Sequence, residues 1–181
     1  MFWQKESTKN PRSVILDTLR VIIIGAVKAD KVLVLAPHPD DDALEIKVIY
    51  FSDGSKGNKS GKSSASLIVE REAEAREAGK VLGIGEEKFL RLPDGKIEPT
   101  IDLAAQIRRE IEFDKPDLIL APSMEELHPD HFAVAEALAI GLKNYDGQLN
   151  IWLYEVWGAS RFNRLFVIDE YINDKRQALK C

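Results

Sequence analysis

The stretch that decides the fold covers residues 33–51 and reads LVLAPHPDDDALEIKVIYF. Two continuous apolar runs rich in Val and Ile flank its centre, at Val32–Ala36 and Ile46–Phe51. Such runs are typical of strands buried on both faces of a parallel sheet. Between them lies the polar segment PHPDDDALE, residues 37–45. In parallel sheets, function gathers in loops that follow the carboxyl ends of the strands, so this segment is the first place to look for chemistry.

The same segment is too short for an ordinary connection between parallel strands. Parallel neighbours need about a dozen or more connecting residues, usually a helix. After HPDD only the four residues Asp42–Glu45 remain, and at no more than about 3.5 Å each they cannot comfortably return the chain along a strand. Two explanations stay open: the strands pair antiparallel, or the sequence lacks a segment here. We favour the missing segment.

The rest of the chain alternates strand patterns with helix patterns. Helices are predicted at Leu67–Leu82, Ile101–Phe113, Phe132–Leu142 and Glu170–Lys180, and strands at Lys88–Leu92, Asp117–Ala121, Asn150–Val156 and Leu165–Ile168. This alternation predicts an α/β fold, a Rossmann-like three-layer sandwich with a mostly parallel sheet and helices on both faces. We expect residues 1–181 to form a single domain, with residues 1–30 as an N-terminal helical extension.

Charge and cysteine content narrow the function classes. A formal net charge of −5 and an isoelectric point near 5.3 argue against a general nucleic-acid binder, which usually carries a basic field. The single cysteine, Cys181, excludes an internal disulfide and fits a reducing, cytoplasmic location. Abundant Lys and Glu with few Cys and Met resemble the composition of thermophile proteins.

One N-terminal segment is apolar enough to raise the question of a membrane. Val14–Val27 carries Asp17 and Arg20 and is shorter than the roughly 20 apolar residues that a span needs. We therefore expect no membrane span. An amphipathic helix that packs on the body of the protein or on another subunit is the prediction.

All three histidines lie in two short motifs, HPDD at residues 38–41 and HPDH at residues 128–131. Each motif follows, or nearly follows, a predicted buried strand, so both are expected at one edge of the sheet. Imidazole and carboxylate groups are good zinc ligands, and catalytic zinc sites use three protein ligands plus an open position. The motifs therefore predict a zinc site, with Fe(II), Co(II) or Ni(II) as alternative metals.

The spacing within the motifs indicates which side chains could bind the metal and which could transfer protons. His128 and His131 are three residues apart, so one helical turn places them on the same side. Pro129 suits the first position of that turn. Adjacent Asp40 and Asp41 point in different directions, so that one can hold the metal while the other takes a proton from water.

Four segments together resemble the LmbE/PIG-L family of zinc-dependent N-deacetylases: APHPDDD, SDG at 52–54, VEREAEAREAGKVLGI at 69–84, and HPDH. The similarity runs from about Lys31 to the C-terminus. The resemblance implies three metal ligands, one general base and one cationic residue that stabilises the oxyanion or assists the leaving amine. The implied ligands are His38, Asp41 and His131, the base is Asp40, and the cation is His128.

The resemblance implies further roles around this centre. Asp130 would orient a histidine from outside the ligand set. Arg71 and Asp94 would contact substrate, although Arg71 also fits a helix-surface charge paired with a neighbouring glutamate. Relatives are often homo-oligomers, which is therefore the implied assembly.

The implied reaction removes the acetyl group from N-acetylglucosamine units and yields acetate and a free amine, as in chitin degradation. Residues 157–181 are similar to the ends of archaeal members that act on chitobiose, which favours a small N-acetylated saccharide such as diacetylchitobiose. Two alternatives remain: a non-catalytic sugar- or metal-binding module on this scaffold, and a zinc hydrolase of another amide or ester.

A phosphate-binding loop is a further interpretation of GNKSGKS, residues 57–63. A P-loop needs four residues between its first glycine and the GK pair. Here three residues separate Gly57 from Gly61. A plain flexible loop, or a basic lid over a sugar, fits this segment better.

Overall fold

The computed structural model describes residues 29–37, 46–57, 63–156 and 168–181. The predicted N-terminal helix, most of the strand predicted at Leu165–Ile168, and the HPDD motif lie outside these described residues. In chain order the elements are β1 (Val32–Ala36), β2 (Ile46–Ser52), α1 (Ser64–Leu82), β3 (Glu86–Leu92), α2 (Ile101–Asp114), β4 (Leu118–Pro122), α3 (Pro129–Gly141), β5 (Ile151–Tyr154) and α4 (Ile172–Ala178).

The strands form one five-stranded sheet in the order β3-β2-β1-β4-β5, and every neighbouring pair is parallel. Val32 at the start of β1 lies opposite Ile46 of β2 and Leu118 of β4. The antiparallel explanation for the short connection is therefore wrong, because β1 and β2 run in the same direction. The other explanation, a missing segment, stays a prediction.

Helices cover both faces of the sheet, which confirms the three-layer prediction. Along β1, Leu33 and Leu35 pack into the core formed with α2 and α3, whereas Val32 and Val34 face the opposite side. On that side Ala75 of α1 joins the buried cluster, and α4 contacts α1. Among the helices that the structure describes, none combines the length and apolarity that a bilayer span requires.

Polar residues fix where the helices begin. The Ser63 hydroxyl accepts from the Ser66 amide at 3.3 Å, and the Thr100 hydroxyl accepts from the Leu103 amide at 3.2 Å, as N-caps do. α3 begins at Pro129, three residues before the predicted start at Phe132, because His128 is its N-cap. The HPDH motif is thus the first turn of a helix rather than a loop in front of one.

Candidate active site

The carboxyl ends of the strands are joined by hydrogen bonds into one edge. The Ser52 amide donates to the Pro37 carbonyl at 3.0 Å, and the Asp53 amide donates to the Leu92 carbonyl at 2.8 Å. At the other end of the strand order, next to β4 and β5, the Ser123 amide donates to the Tyr154 carbonyl at 2.8 Å. The residues at the ends of these strands, and those that directly follow β1, β2 and β4, are therefore held at the same edge, as the sequence predicts.

The two histidines of HPDH lie side by side at the start of α3. Their ring centroids are 5.1 Å apart. The His131 side chain is buried, whereas His128 is half-buried. The prediction that both histidines share one side of a helical turn is confirmed, and their separate roles stay predictions.

His128 is held as a hydrogen-bond acceptor at one of its ring nitrogens. Its Nδ1 accepts from the Asp130 backbone amide at 3.3 Å, which closes the N-terminal turn of α3. A neutral imidazole has one acceptor nitrogen and one N–H, whereas the imidazolium has two N–H groups. This contact therefore favours a neutral His128 that carries its hydrogen on Nε2.

Asp130 anchors the loop that follows β3. Its Oδ2 accepts from the Gly95 amide at 2.6 Å, and its Oδ1 accepts from the Ile97 amide at 3.1 Å. The side chain is fully buried. These contacts make Asp130 a brace between α3 and the residue 93–97 loop, and its predicted part in orienting a histidine stays a prediction.

Asp94 is brought to the same edge through that loop. Gly95, its neighbour, is the residue that Asp130 holds. The Asp94 Oδ2 accepts from the Lys56 amide at 2.9 Å, and the Asp94 amide donates to Asp53 at 3.2 Å. SDG after β2 and PDG after β3 therefore form one braced platform next to HPDH.

Glycine is favoured at position 95 by the backbone conformation, and the flexible Lys56 side chain occupies the space next to it. The φ of Gly95 is +69°, a conformation that side chains disfavour. A Cβ there would also lie 1.8 Å from the Lys56 Nζ. The lysine side chain thus passes over the PDG turn where a larger residue would collide with it.

Arg71 forms the ion pair that the sequence left open, and its predicted contact with substrate stays a prediction. Its Nη1 lies 2.9 Å from Glu74 on the same helix, which is the surface ion pair of the alternative interpretation. Its stem also packs beside Gly54, where a Cβ would lie 3.5 Å from the Arg71 Cγ. Arg71 therefore lies over the SDG loop, near the edge at which a substrate would bind.

Glu126 is the residue of this site that the sequence reasoning missed. Its side chain is fully buried, and its Oε2 lies 3.8 Å from the Nδ1 of His131. Its Oε1 accepts from the Val156 amide, beyond the end of β5. The only signal in the sequence is an acidic residue shortly before HPDH, beside the equally acidic Glu125.

Three of the predicted site residues, His38, Asp40 and Asp41, lie outside the described residues. Within the described ranges, no group of three or more His, Cys, Asp or Glu side chains is arranged to hold a metal ion. The described part thus supplies one predicted ligand, His131, with its neighbours. Pro37, which lies at the same edge, is the last described residue before the HPDD motif.

Comparison with known proteins identifies the family. The family described as PIG-L: GlcNAc-PI de-N-acetylase matches residues 33–140, which is more than half of the chain. A diacetylchitobiose deacetylase from Thermococcus kodakarensis is 30% identical over 139 residues, and the match covers 64% of this chain and 52% of that relative. The chain thus spans about half the length of this curated relative.

Solved structures share the fold at low identity. The N,N'-diacetylchitobiose deacetylase from Pyrococcus horikoshii has a TM-score of 0.72 at 22% identity, and the match covers 84% of this chain and 69% of that one. GalB, the 4-carboxy-2-hydroxymuconate hydratase from Pseudomonas putida KT2440, has a TM-score of 0.67 at 19% identity, covering 83% and 78%. Since a deacetylase and a hydratase share this architecture, the fold alone does not choose the reaction.

The family match extends from β1 to α3 and includes both histidine motifs. The chain belongs to the PIG-L/LmbE family.

Proposed function

We propose that the protein is a zinc-dependent deacetylase that removes the acetyl group from N-acetylglucosamine units of a small saccharide such as diacetylchitobiose. The family match and the diacetylchitobiose deacetylase relative support this proposal. The observation that carries it is the pair of histidines at the carboxyl edge. One is buried and backed by a carboxylate, and the other is half-buried.

The imidazole and carboxylate groups of the two histidine motifs are suitable donors for a zinc ion. His131 would hold it together with His38 and Asp41, whose roles rest on the family resemblance. Zinc-binding histidines commonly have a carboxylate next to the ring nitrogen that does not bind the metal, and the Glu126 Oε2 lies 3.8 Å from the Nδ1 of buried His131. Bound zinc would polarise the acetyl carbonyl and increase the acidity of water at the site.

Asp40 and His128 would handle protons and developing charge. Asp40 would accept a proton from the attacking water and pass it to the departing amine, as a general base that becomes a general acid. His128 would donate its Nε2–H to the oxyanion that forms from the acetyl oxygen. Because its Nδ1 accepts from the Asp130 amide, His128 would act as a neutral donor rather than as the cation that the resemblance implies.

The platform beside the histidines would bind the sugar. Asp94 belongs to the loop after β3, which the carboxylates of Asp53 and Asp130 hold in place. Arg71 of α1 packs beside Gly54, in the loop after β2. One oxygen of Asp94 is engaged by the Lys56 amide, which orients the carboxylate. Carboxylate and guanidinium groups fixed in this way would bind sugar hydroxyl groups.

An acetate-release assay on a panel of N-acetylated sugars, with diacetylchitobiose first, tests the function. We expect a chelator to abolish acetate release and zinc to restore it. Asp40→Asn should keep bound zinc, measured by elemental analysis, while turnover falls about 10²- to 10⁴-fold. Zinc-loaded protein that deacetylates no sugar in the panel contradicts the function, and an Asp40→Asn protein without zinc contradicts the role of Asp40. Other acetamides and esters in the panel test the alternative hydrolase.

A further inference from the structure

A buried carboxylate in the loop before HPDH requires an explanation. Glu126 is 6% exposed, although its neighbours Met124, Glu125 and Leu127 are exposed. Moving a carboxylate out of water is costly unless hydrogen bonds or positive charge compensate it. The local sequence therefore does not explain why the Glu126 side chain points inward. The explanation has to come from the contacts of that side chain.

Two contacts fix the orientation of this carboxylate. The Val156 backbone amide donates to its Oε1, so that oxygen is held from the end of β5. Its Oε2 lies 3.8 Å from the Nδ1 of buried His131, which is an electrostatic contact and is longer than a hydrogen bond. The carboxylate thus bridges β5 and the first turn of α3, with one oxygen directed at the imidazole.

We infer that Glu126 is a positioning residue that keeps His131 in the tautomer with its hydrogen on Nδ1. An ionised carboxylate only accepts hydrogen bonds, and Nδ1 is the ring nitrogen that faces it. The lone pair of His131 is then left on Nε2, where it can bind a metal ion. The inference rests on the proposed function, since it gives His131 the tautomer that a metal ligand needs.

The neighbouring histidine, His128, is held in the opposite way, because its Nδ1 is an acceptor. The Nδ1 of His128 accepts from the Asp130 amide, so its hydrogen belongs on Nε2. The two imidazoles, 5.1 Å apart, are therefore held in opposite tautomers by different partners. This difference distinguishes a residue that donates to substrate from a residue that binds metal.

Glu126→Gln tests the inference with almost no change in volume. The amide oxygen of the glutamine can still accept from the Val156 amide, which turns its NH₂ group towards His131. That group would donate to Nδ1 and shift the hydrogen of His131 to Nε2. We expect the Kd for zinc to rise about 10- to 100-fold, while the circular dichroism of the folded protein stays unchanged.

The tautomer itself can be read in the metal-free protein. Nitrogen-15 NMR of the imidazoles distinguishes the two forms, and the chain has only three histidines to assign. Wild type should show Nδ1–H at His131, and Glu126→Gln should show Nε2–H. Glu125→Gln, which changes the exposed neighbouring acid, is the matched control and should keep the wild-type tautomer and zinc affinity.

The outcomes separate this inference from the proposed function. A metal-free wild type with Nε2–H at His131 overturns the inference without any variant, as does a Glu126→Gln protein with the wild-type zinc affinity. Either result leaves acetate release free to support the deacetylase. Wild type that binds zinc but hydrolyses no acetamide contradicts the proposed function alone, because tautomer and zinc affinity still decide the role of Glu126. Wild type that binds no zinc overturns both.

Discussion

The two ends of the sheet hold buried charge in different ways. At the amino end, Lys47 of β2 lies 2.8 Å from Glu110 and 2.9 Å from Asp114, both on α2, and 3.2 Å from Glu86. Lys88 adds a contact of 2.5 Å to Glu110. The mostly buried carboxylates of Glu110 and Asp114 are thus neutralised by lysines.

At the carboxyl end, carboxylates are held by backbone amides instead. Asp53 accepts from the amides of Ser55 and Asp94, and Asp130 accepts from those of Gly95 and Ile97. In the part of the chain that the structure describes, neither of these two carboxylates forms an ion pair with lysine or arginine.

The difference distinguishes an end that serves stability alone from an end that can also serve function. An ion pair cancels charge, so the amino-end network contributes mainly to the folded state. A carboxylate held by amides keeps its negative charge while its position is fixed. The carboxyl edge can therefore order its loops and still attract a cation. Substitutions at either end can therefore reduce stability, but only those at the carboxyl edge should also change zinc binding.

The largest effect on stability is expected from Asp130→Asn. Each oxygen of Asp130 accepts a hydrogen bond from one backbone amide. Asparagine has only one acceptor oxygen, so its NH₂ group would face the N–H of the other amide and that hydrogen bond would be lost. Charge-assisted hydrogen bonds contribute roughly 1.5–3 kcal/mol each, so we expect the free energy of unfolding in urea to fall by about 3 kcal/mol. Asp146→Asn, at an exposed position, should change it by less than about 0.5 kcal/mol. A similar loss in both variants would show that the brace to the 93–97 loop is unimportant.

The next effect, from Lys47→Met, should appear in stability alone. Methionine keeps the length of the side chain and leaves Asp114 and Glu110, whose side chains are mostly buried, without this ammonium group. Breaking a buried pair costs about 3–5 kcal/mol, and partial exposure together with Lys88 should reduce this to about 2 kcal/mol. Zinc affinity should stay at the wild-type value, because the network lies at the opposite end of the sheet.

The exposed pair Lys80–Glu77 on α1 supplies the control, since Lys80→Met should change the free energy of unfolding by less than about 0.5 kcal/mol. Glu126→Gln is expected to behave in the opposite way to Lys47→Met, with weaker zinc binding and a retained fold. If Lys47→Met weakens zinc binding as strongly as Glu126→Gln, the two ends of the sheet do not have separate roles.

The scaffold could be predicted from the sequence because its signals are local. β1 has its predicted bounds, Val32–Ala36, since a buried parallel strand is a continuous apolar run. The direction of β2 could not be decided in this way. Parallel pairing depends on contacts with β1 and β3, and the length of one connection is a poor substitute for them.

Site residues that belong to a sequence motif could be predicted, whereas a site residue that is positioned by a long-range contact was missed. HPDH and Asp94 of the PDG turn were identified and meet through the Gly95–Asp130 hydrogen bond. Glu126 looks like its exposed neighbour Glu125 in the sequence. What turns it inward is the amide of Val156, 30 residues later, and a single sequence does not reveal that contact.

The smallest predicted effect is the pH dependence of the amino-end network. Burial alone would raise the pKa of Glu110, but hydrogen bonds from Lys47 and Lys88 outweigh it and lower the pKa below its ordinary value of 4.5. A carboxyl group with a lowered pKa in the folded state stabilises the protein above its unfolded pKa, and this contribution disappears as the pH falls through the folded value. The free energy of unfolding of the wild type should therefore exceed that of Glu110→Gln by about 1 kcal/mol at neutral pH. In urea unfolding experiments this difference should become smaller below about pH 4.5.

Glu112→Gln on the same helix is the comparison for this measurement, because its carboxylate pairs with Arg108 at a more exposed position. There the difference from wild type should be less than about 0.5 kcal/mol at neutral pH. A gap between wild type and Glu110→Gln that stays constant down to about pH 3 would mean that packing, and not the lysine pairs, gives Glu110 its effect. The charge balance assigned to the amino end would then be wrong, and the contrast with the amide-held carboxylates of the site would lose its basis.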